Sequence, residues 1–253
     1  MNVLSQTART HWEFGSLSDV GRVRRRNEDA LHVDPDGRYA VLADGMGGYR
    51  GGDVAAGLAV TVVKNVLDAG LAAPFDPDMV ARMLFDAIRD ANAAIYDAGQ
   101  ADPALAGMGC TLILATFVGD EVVSAHVGDS RLYRWRDARL ALLTRDHTML
   151  QEQVDGGIIS VEEARGYAYR GLLTRGLGVA DEVLPDLGIH DAVEGDVFLL
   201  CSDGLTDMLD DRSIAASLAS PAAVGEVAAT LVRQANDRGG RDNVSVVVGR
   251  LVV

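Results

Sequence analysis

Positive charge is scarce in this chain. Its 253 residues carry 23 lysines and arginines against 37 aspartates and glutamates, a net charge of -14 at pH 7. That balance excludes a nucleic-acid partner, because a phosphate backbone needs a basic face, and it disfavours an anionic membrane surface. No apolar run reaches the roughly 18 residues that cross a bilayer. Residues 1–16 lack the basic start and apolar core of a secretory signal. Cysteine is nearly absent: Cys110 and Cys201 are the only two. Both lie in or beside apolar runs, so the expected state is two buried free thiols in a reducing cytoplasm rather than a disulfide. Repeats, low-complexity tracts and linkers are missing as well, and the expectation is a single domain over 1–253.

The composition that remains is ordinary for a globular protein, 48% hydrophobic and 24% charged. Val54, Leu58, Val62, Val63, Val66 and Leu67 recur at helical spacing after Asp53, with Gly70 as the stop. Asp76-Pro77 reads as a cap followed by proline in the first turn. Val80, Met83, Leu84, Ala87, Ile88, Ala91 and Ile95 then form one stripe, which Gly99 is expected to end. Residues 111–118 and 121–127 read as a hairpin around Gly119-Asp120, and 131–135 and 139–143 flank a turn at Asp137-Ala138. Asp34-Pro35-Asp36-Gly37 is another turn. Residues 146–171 read as a polar, partly helical surface region. Residues 197–202 read as a strand, 222–236 as a helix and 243–253 as a final strand. Hairpin-linked strands with helices inserted in pairs predict an α+β fold with mostly antiparallel sheets.

Three apolar strands each end on an aspartate. Residues 39–43 run into Asp44-Gly45-Met46-Gly47-Gly48, 122–127 into Gly128-Asp129-Ser130, and 197–202 into Asp203-Gly204-Leu205. An acid at the end of a buried strand is costly unless a cation meets it. Glu28 and Asp29 follow Arg24, and Asp242-Asn243 precedes the last strand, so six acids stand at turns or element ends. Carboxylates bind Mg²⁺ and Mn²⁺ through oxygen, and an acidic protein that holds such ions can still take a phosphate substrate. Two close ions can share a hydroxide and polarise a phosphoryl oxygen. A nearby arginine can grip phosphate with two prongs. Singly, each aspartate beside a glycine is first a turn former. The glycines at 45, 47, 48, 51 and 52 lack the Gly-Lys-Ser/Thr ending of a P-loop. His32 and His126 fall in strand-like runs and read as ordinary polar positions, and His147 reads as fixing a loop. Trp12 and Trp135 read as packing residues.

The run Ser18-Asp19-Val20-Gly21-Arg22-Val23-Arg24-Arg25-Arg26-Asn27-Glu28-Asp29 resembles the opening motif of the metal-dependent serine/threonine phosphatases, the protein phosphatase 2C family, in its bacterial form. Asp44-Gly45-Met46-Gly47-Gly48, Gly128-Asp129-Ser130-Arg131, Ser202-Asp203-Gly204-Leu205 and Arg241-Asp242-Asn243-Val244-Ser245 resemble its later motifs, in the same order. The resemblance runs from about Ser16 to the C-terminus, the expected core of the domain. It implies a four-layer αββα sandwich, two central antiparallel β-sheets flanked by helix pairs. It also implies Mn²⁺ or Mg²⁺ as cofactor, as two tight ions and a weaker third. Asp44, Asp203 and Asp242 would serve the first ion, and Glu28, Asp44 and the Gly45 carbonyl the second. Asp129 with Asp203 would serve the third. Arg24 would hold the substrate phosphate, and Asp29 and Asn243 would orient water or neighbouring ligands.

The implied reaction is hydrolysis of phosphoserine and phosphothreonine on proteins by a metal-bridged hydroxide, without a phosphoenzyme. The implied partners are phosphorylated proteins and a cognate serine/threonine kinase, in the cytoplasm. The competing readings are a catalytically silent phosphoprotein-binding relative and a hydrolase of nucleotides or other small phosphates. Retention of all six acids speaks against the silent relative. Two departures from the family pattern stand out. Met46 replaces a histidine that acts as general acid in some relatives, and Tyr49 a histidine found in many bacterial ones, so a metal-bound water is the expected proton donor. Residues 167–175 also lack the His-Pro with which relatives often begin that segment.

Overall fold

The structure, a computed structural model, describes residues 11–47, 51–71, 76–164 and 171–252. Its strands are β1 (His11–Asp19), β2 (Asp29–Val33), β3 (Tyr39–Met46), β4 (Gly109–Cys110), β5 (Leu112–Val118), β6 (Glu121–Val127), β7 (Arg131–Arg136), β8 (Arg139–Leu142), β9 (Asp186–Asp191), β10 (Val197–Cys201) and β11 (Val244–Val252). Its helices are α1 (Gly52–Gly70), α2 (Pro77–Ala101), α3 (Met149–Asp155), α4 (Val161–Ala164), α5 (Asp203–Thr206), α6 (Asp211–Leu218) and α7 (Val224–Asp237). One sheet has the order β1-β11-β10-β7-β8. The other has the order β2-β3-β5-β6-β9, with β4 paired to the end of β3. Every pairing is antiparallel.

The side-chain alternation of a strand divides each central strand between two cores. In β3, Tyr39, Val41 and Ala43 face α1 and α2, where they meet Ala59, Val63, Leu84 and Ile88. Ala40 and Leu42 face the opposite way, toward Phe198, Leu200 and Val247 of the other sheet. In β10, Leu199 and Cys201 lie on the outer side with Ile214 of α6 and Val227 and Leu231 of α7. A strand covered on both faces must be apolar throughout, which is why these stretches read as unbroken hydrophobic runs. The result is four layers: helices, sheet, sheet, helices. Trp12, Phe14, Phe117 and Phe198 lock the two sheets together, with Trp12 and Phe14 each within 5 Å of the Phe117 ring centre. Truncating Phe198 to alanine would cost about 3–5 kcal/mol.

Local signals mostly acted as expected. The Asp76 side chain accepts the Asp78 N–H and Pro77 opens α2. Gly37 adopts a φ of +70° in its turn, and Asp137 and Ala138 are both left-handed, as a tight hairpin requires. Several bounds differ. Helix α2 passes Gly99 and stops at Ala101, where Asp102 caps it and Pro103 prevents continuation. Helix α7 starts at Val224 rather than at residue 222. Strands β1 and β9 and helix α6 carry no strong apolar period in sequence, and sheet pairing and packing define them instead. Both cysteines are buried free thiols, and burial pushes the Cys201 thiol up to about 12. Among the described residues no helix is long and apolar enough to cross a membrane.

Candidate active site

Strands β3 and β6 run in the same direction because both flank β5 antiparallel. Their C-terminal ends therefore deliver Asp44 and Asp129 to one side of the molecule. Asp29 opens β2 directly opposite Asp44. From the other sheet, Asp203 begins α5 just after β10, and Asp242 lies two residues before the start of β11. The gathering shows in the charges. Asp44 is pushed well above the carboxylate range by burial first, then by Asp29, Asp203, Asp129 and Asp242. Burial, and then Asp129, Asp207 and Asp242, raise Asp203 to about 8. Asp129 rises to about 6 through burial and then Asp146. Buried like charges with no compensating cation raise one another in this way.

Side chains around the acids hold them in place. Ser202 Oγ donates to Asp29 Oδ2 at 3.0 Å. Asn243 Oδ1 accepts the Glu28 N–H, and its Nδ2 donates to the carbonyls of Val20 and Arg26. Asn243 thus pins the whole segment that carries Arg24 and Glu28. Gly45 lies against the start of α1, so closely that an added Cβ would stand 2.1 Å from the Gly52 carbonyl oxygen. No other residue fits there without moving the helix. Arg24 stands at the rim, half exposed, and its Nη2 contacts Asp242 Oδ2 at 2.6 Å. Met46 ends β3 and carries no proton to give.

Several contributors were not singled out in the sequence. Thr111 Oγ1 accepts the Asp44 N–H at 3.0 Å and shares a hydrogen bond with Ser130 Oγ at 2.8 Å, so it ties the Asp44 strand to the Asp129 turn. Asp146 holds Arg131 through both oxygens. Asp207 lies one helical turn beyond Asp203 and adds to the field at both Asp129 and Asp203. A groove of about 810 Å³ opens beside Asp129 and Asp203, with Leu150, Val154 and Val161 on one wall and Asp207 on another. Gly48, Tyr49 and residues 167–170, which bear on the two departures from the family pattern, lie outside the described residues.

A metal fits the acidic cluster on one further observation. Asp203 Oδ1 and Asp29 Oδ1 are buried without a hydrogen-bond partner among the described residues. Carboxylate oxygens left unpaired among other carboxylates are hard donors in want of a hard cation. A second donor group behaves differently. His126, His147 and Asp186 have ligand atoms within 4.8 Å of one another. Among the described residues this is the one such group gathered tightly enough to hold an ion as it stands.

The histidine group already has its cation. The Gly128 N–H donates to His147 Nδ1, which assigns the proton of the neutral ring to Nε2, and that nitrogen lies 3.3 Å from Asp186 Oδ2 and 3.2 Å from Arg175 Nη1. The Arg175 guanidinium donates to Asp186 Oδ1 at 2.8 Å. Burial first, then His126, lower the His147 pKa to about 4, which keeps the ring neutral. His147 therefore fixes a loop, as its sequence position predicts, and His126 donates from Nε2 to the Arg145 carbonyl.

The family model described as protein phosphatase 2C matches residues 22–238. The serine/threonine protein phosphatase PstP of Mycobacterium tuberculosis is 40% identical over 241 residues, covering 94% of this chain and 45% of that protein. The chain thus spans less than half the length of that relative. Protein phosphatase PhpP of Streptococcus pneumoniae is 36% identical over 243 residues, 93% of this chain and 96% of its own length. The crystal structure of the M. tuberculosis phosphatase superposes with a TM-score of 0.89 at 39% identity, over 96% of this chain and 99% of the other. The PstP catalytic domain solved with two manganese ions gives 0.86 at 38% identity, over 96% and 100%. The chain belongs to the protein phosphatase 2C family.

Proposed function

We propose that this chain hydrolyses phosphoserine and phosphothreonine on proteins, with two Mn²⁺ or Mg²⁺ ions held at the strand ends and a weaker third beside them. The observation that carries the reading is the convergence of Asp44, Asp129, Asp203 and Asp242 from two sheets onto one mouth, with carboxylate oxygens left unpaired. Asp44, Asp203 and Asp242 are assigned to the first ion, Glu28, Asp44 and the Gly45 carbonyl to the second, and Asp129 with Asp203 to the third. Ions held by these residues would supply Lewis-acid chemistry, lowering the pKa of water and polarising the phosphoryl oxygens.

The chain's own residues supply the rest. Arg24 uses the N–H groups that its Asp242 contact leaves free to orient the phosphate at the rim. Asn243 holds the Arg24–Glu28 segment in register. Asp29 receives the Ser202 hydroxyl and steadies the end of β10 beside Asp203. Met46 donates no proton, so the leaving serine oxygen takes its proton from water. The groove beside Asp129 and Asp203 has room for the peptide around the phosphorylated residue. The reading extends to one phosphatase domain over 1–253, acting in the cytoplasm against a serine/threonine kinase. The two reduced thiols agree with that compartment.

The test is hydrolysis of p-nitrophenyl phosphate and of phosphothreonine peptide, with a nucleoside triphosphate alongside. Activity on the peptide that requires Mn²⁺ or Mg²⁺, and that chelator abolishes, is the expected result. Full activity in chelator would sink the reading, and turnover of the nucleotide alone would move it to small phosphates.

A further inference from the structure

We propose that His147 is a positioning residue for the Asp129 ion, acting through the backbone of Gly128. The proposal rests on the reading that Asp129 holds the weaker ion. His147 grips Gly128 twice. Its backbone N–H donates to the Gly128 carbonyl at 2.9 Å, and its ring Nδ1 accepts the Gly128 N–H at 3.2 Å. Both peptide groups that flank Gly128, the second of them shared with Asp129, are thereby fixed by one residue. Gly128 sits at a φ of +102°, and an added Cβ would lie 2.6 Å from the Thr111 side chain. The turn is held from the other side by that threonine, which also binds the Asp44 N–H. Asp129 therefore leaves a clamped glycine with little freedom of its own.

The ring itself is held on every side. It stacks on His126 at 4.7 Å between ring centres. Its Nε2 faces Asp186, and Arg175 fastens that carboxylate. The His147 carbonyl accepts the Thr174 N–H at 2.9 Å, and Thr148 bridges to Leu173. A continuous set of contacts thus runs from the 172–175 segment, through His147, to the turn that presents Asp129. Groups that orient a metal ligand without touching the metal typically change its affinity by about 10–100-fold. Asp129 is fixed in the same indirect manner.

The test uses the whole chain, stripped of metal, with Mn²⁺ alone as the probe in a calorimetric titration. Asparagine places its amide oxygen where His147 has Nδ1 and can accept the Gly128 N–H. Glutamine places its polar group near Nε2 and cannot. His147→Asn is expected to keep the weak ion close to the intact affinity, and His147→Gln to weaken it by about tenfold or more. His147→Ala, if it folds, should match His147→Gln. The kcat of His147→Gln on phosphopeptide should recover at high Mn²⁺ with KM unchanged, which a general loosening of the fold would not produce. Equal Mn²⁺ affinity in His147→Asn and His147→Gln overturns the proposal. Asp129→Ala separates the two layers of argument. A weak ion that survives Asp129→Ala removes the Asp129 assignment, whereas loss there with no difference between the His147 variants removes only the role of His147.

Discussion

Two groups of acidic and metal-capable side chains lie within this molecule, and they differ in what neutralises them. At the strand ends, burial first and neighbouring carboxylates second raise the pKa values of Asp29, Asp44, Asp129 and Asp203, and two of the buried oxygens there have no partner among the described residues. At the histidine group, Asp186 meets Arg175 and the His147 ring, and its carboxyl is held below the usual range despite the opposing effect of burial. The histidine group carries its counter-charge in Arg175, whereas buried carboxylates face one another at the strand ends, and that difference in charge compensation is what points the proposed metal site to the strand ends.

The largest effect expected from breaking this contrast is on turnover. Asp203→Asn or Asp44→Asn should lower kcat by at least roughly 10²-fold, because on the proposed assignment they hold the ions that would activate the attacking water. Asp186→Asn should cost far less at saturating Mn²⁺. Steady-state kinetics on phosphothreonine peptide checks both. Arg24→Ala comes next. Loss of a charge-assisted contact to phosphate is worth roughly 1.5–3 kcal/mol, or about ten- to a hundredfold in kcat/KM. Arg24→Lys should fall between Arg24→Ala and the intact chain, and unchanged kinetics in both would remove Arg24 from the site.

Stability sharpens the same comparison. Mn²⁺ at a hundredfold excess over its Kd stabilises by about 2.7 kcal/mol per site, several degrees in Tm for a chain of this size. The rise should shrink in Asp242→Asn and persist in Asp210→Asn. Asp210 caps α6 by accepting the Ser213 N–H, and asparagine caps nearly as well, so the starting Tm should barely move.

Without metal, pH should act in the opposite sense to ordinary acid denaturation. The folded pKa of Asp203 is raised to about 8, far above its ordinary value of 3.8. A raised folded pKa contributes stability that is complete below the unfolded value and is lost as pH rises through the folded one. Chelated protein should therefore gain on the order of 1 kcal/mol as pH falls from 8 to 6.5. Below that window His126, His147 and His190, whose pKa values are lowered, begin to oppose the gain. Asp203→Asn should flatten the response, as read by thermal melts across the window.

Much of this was legible in sequence where local chemistry decides. Asp76-Pro77, the Asp137-Ala138 turn and the helical stripe of α1 declared themselves, and the strand–aspartate junctions pointed to acids that the fold gathers together. What was illegible depends on long-range pairing. Strand β1 offers only Trp12, Phe14 and Leu17 as large apolar residues, and it exists because β11 pairs along its whole length. Thr111 looks like any strand threonine until the fold sets Asp44 on one side of it and Ser130 on the other. His147 is separated from Gly128 by 19 residues, and no periodicity links them. The family motifs named the acids, but not the side chains that aim them.

The most direct test of the central claim is calorimetric titration of Mn²⁺ into metal-free protein, Asp203→Asn and Asp186→Asn. Two tight ions in the intact chain and in Asp186→Asn, with loss of tight binding in Asp203→Asn, is the predicted result. Absence of binding to the intact chain, or tight binding that survives Asp203→Asn and disappears in Asp186→Asn, would contradict the account.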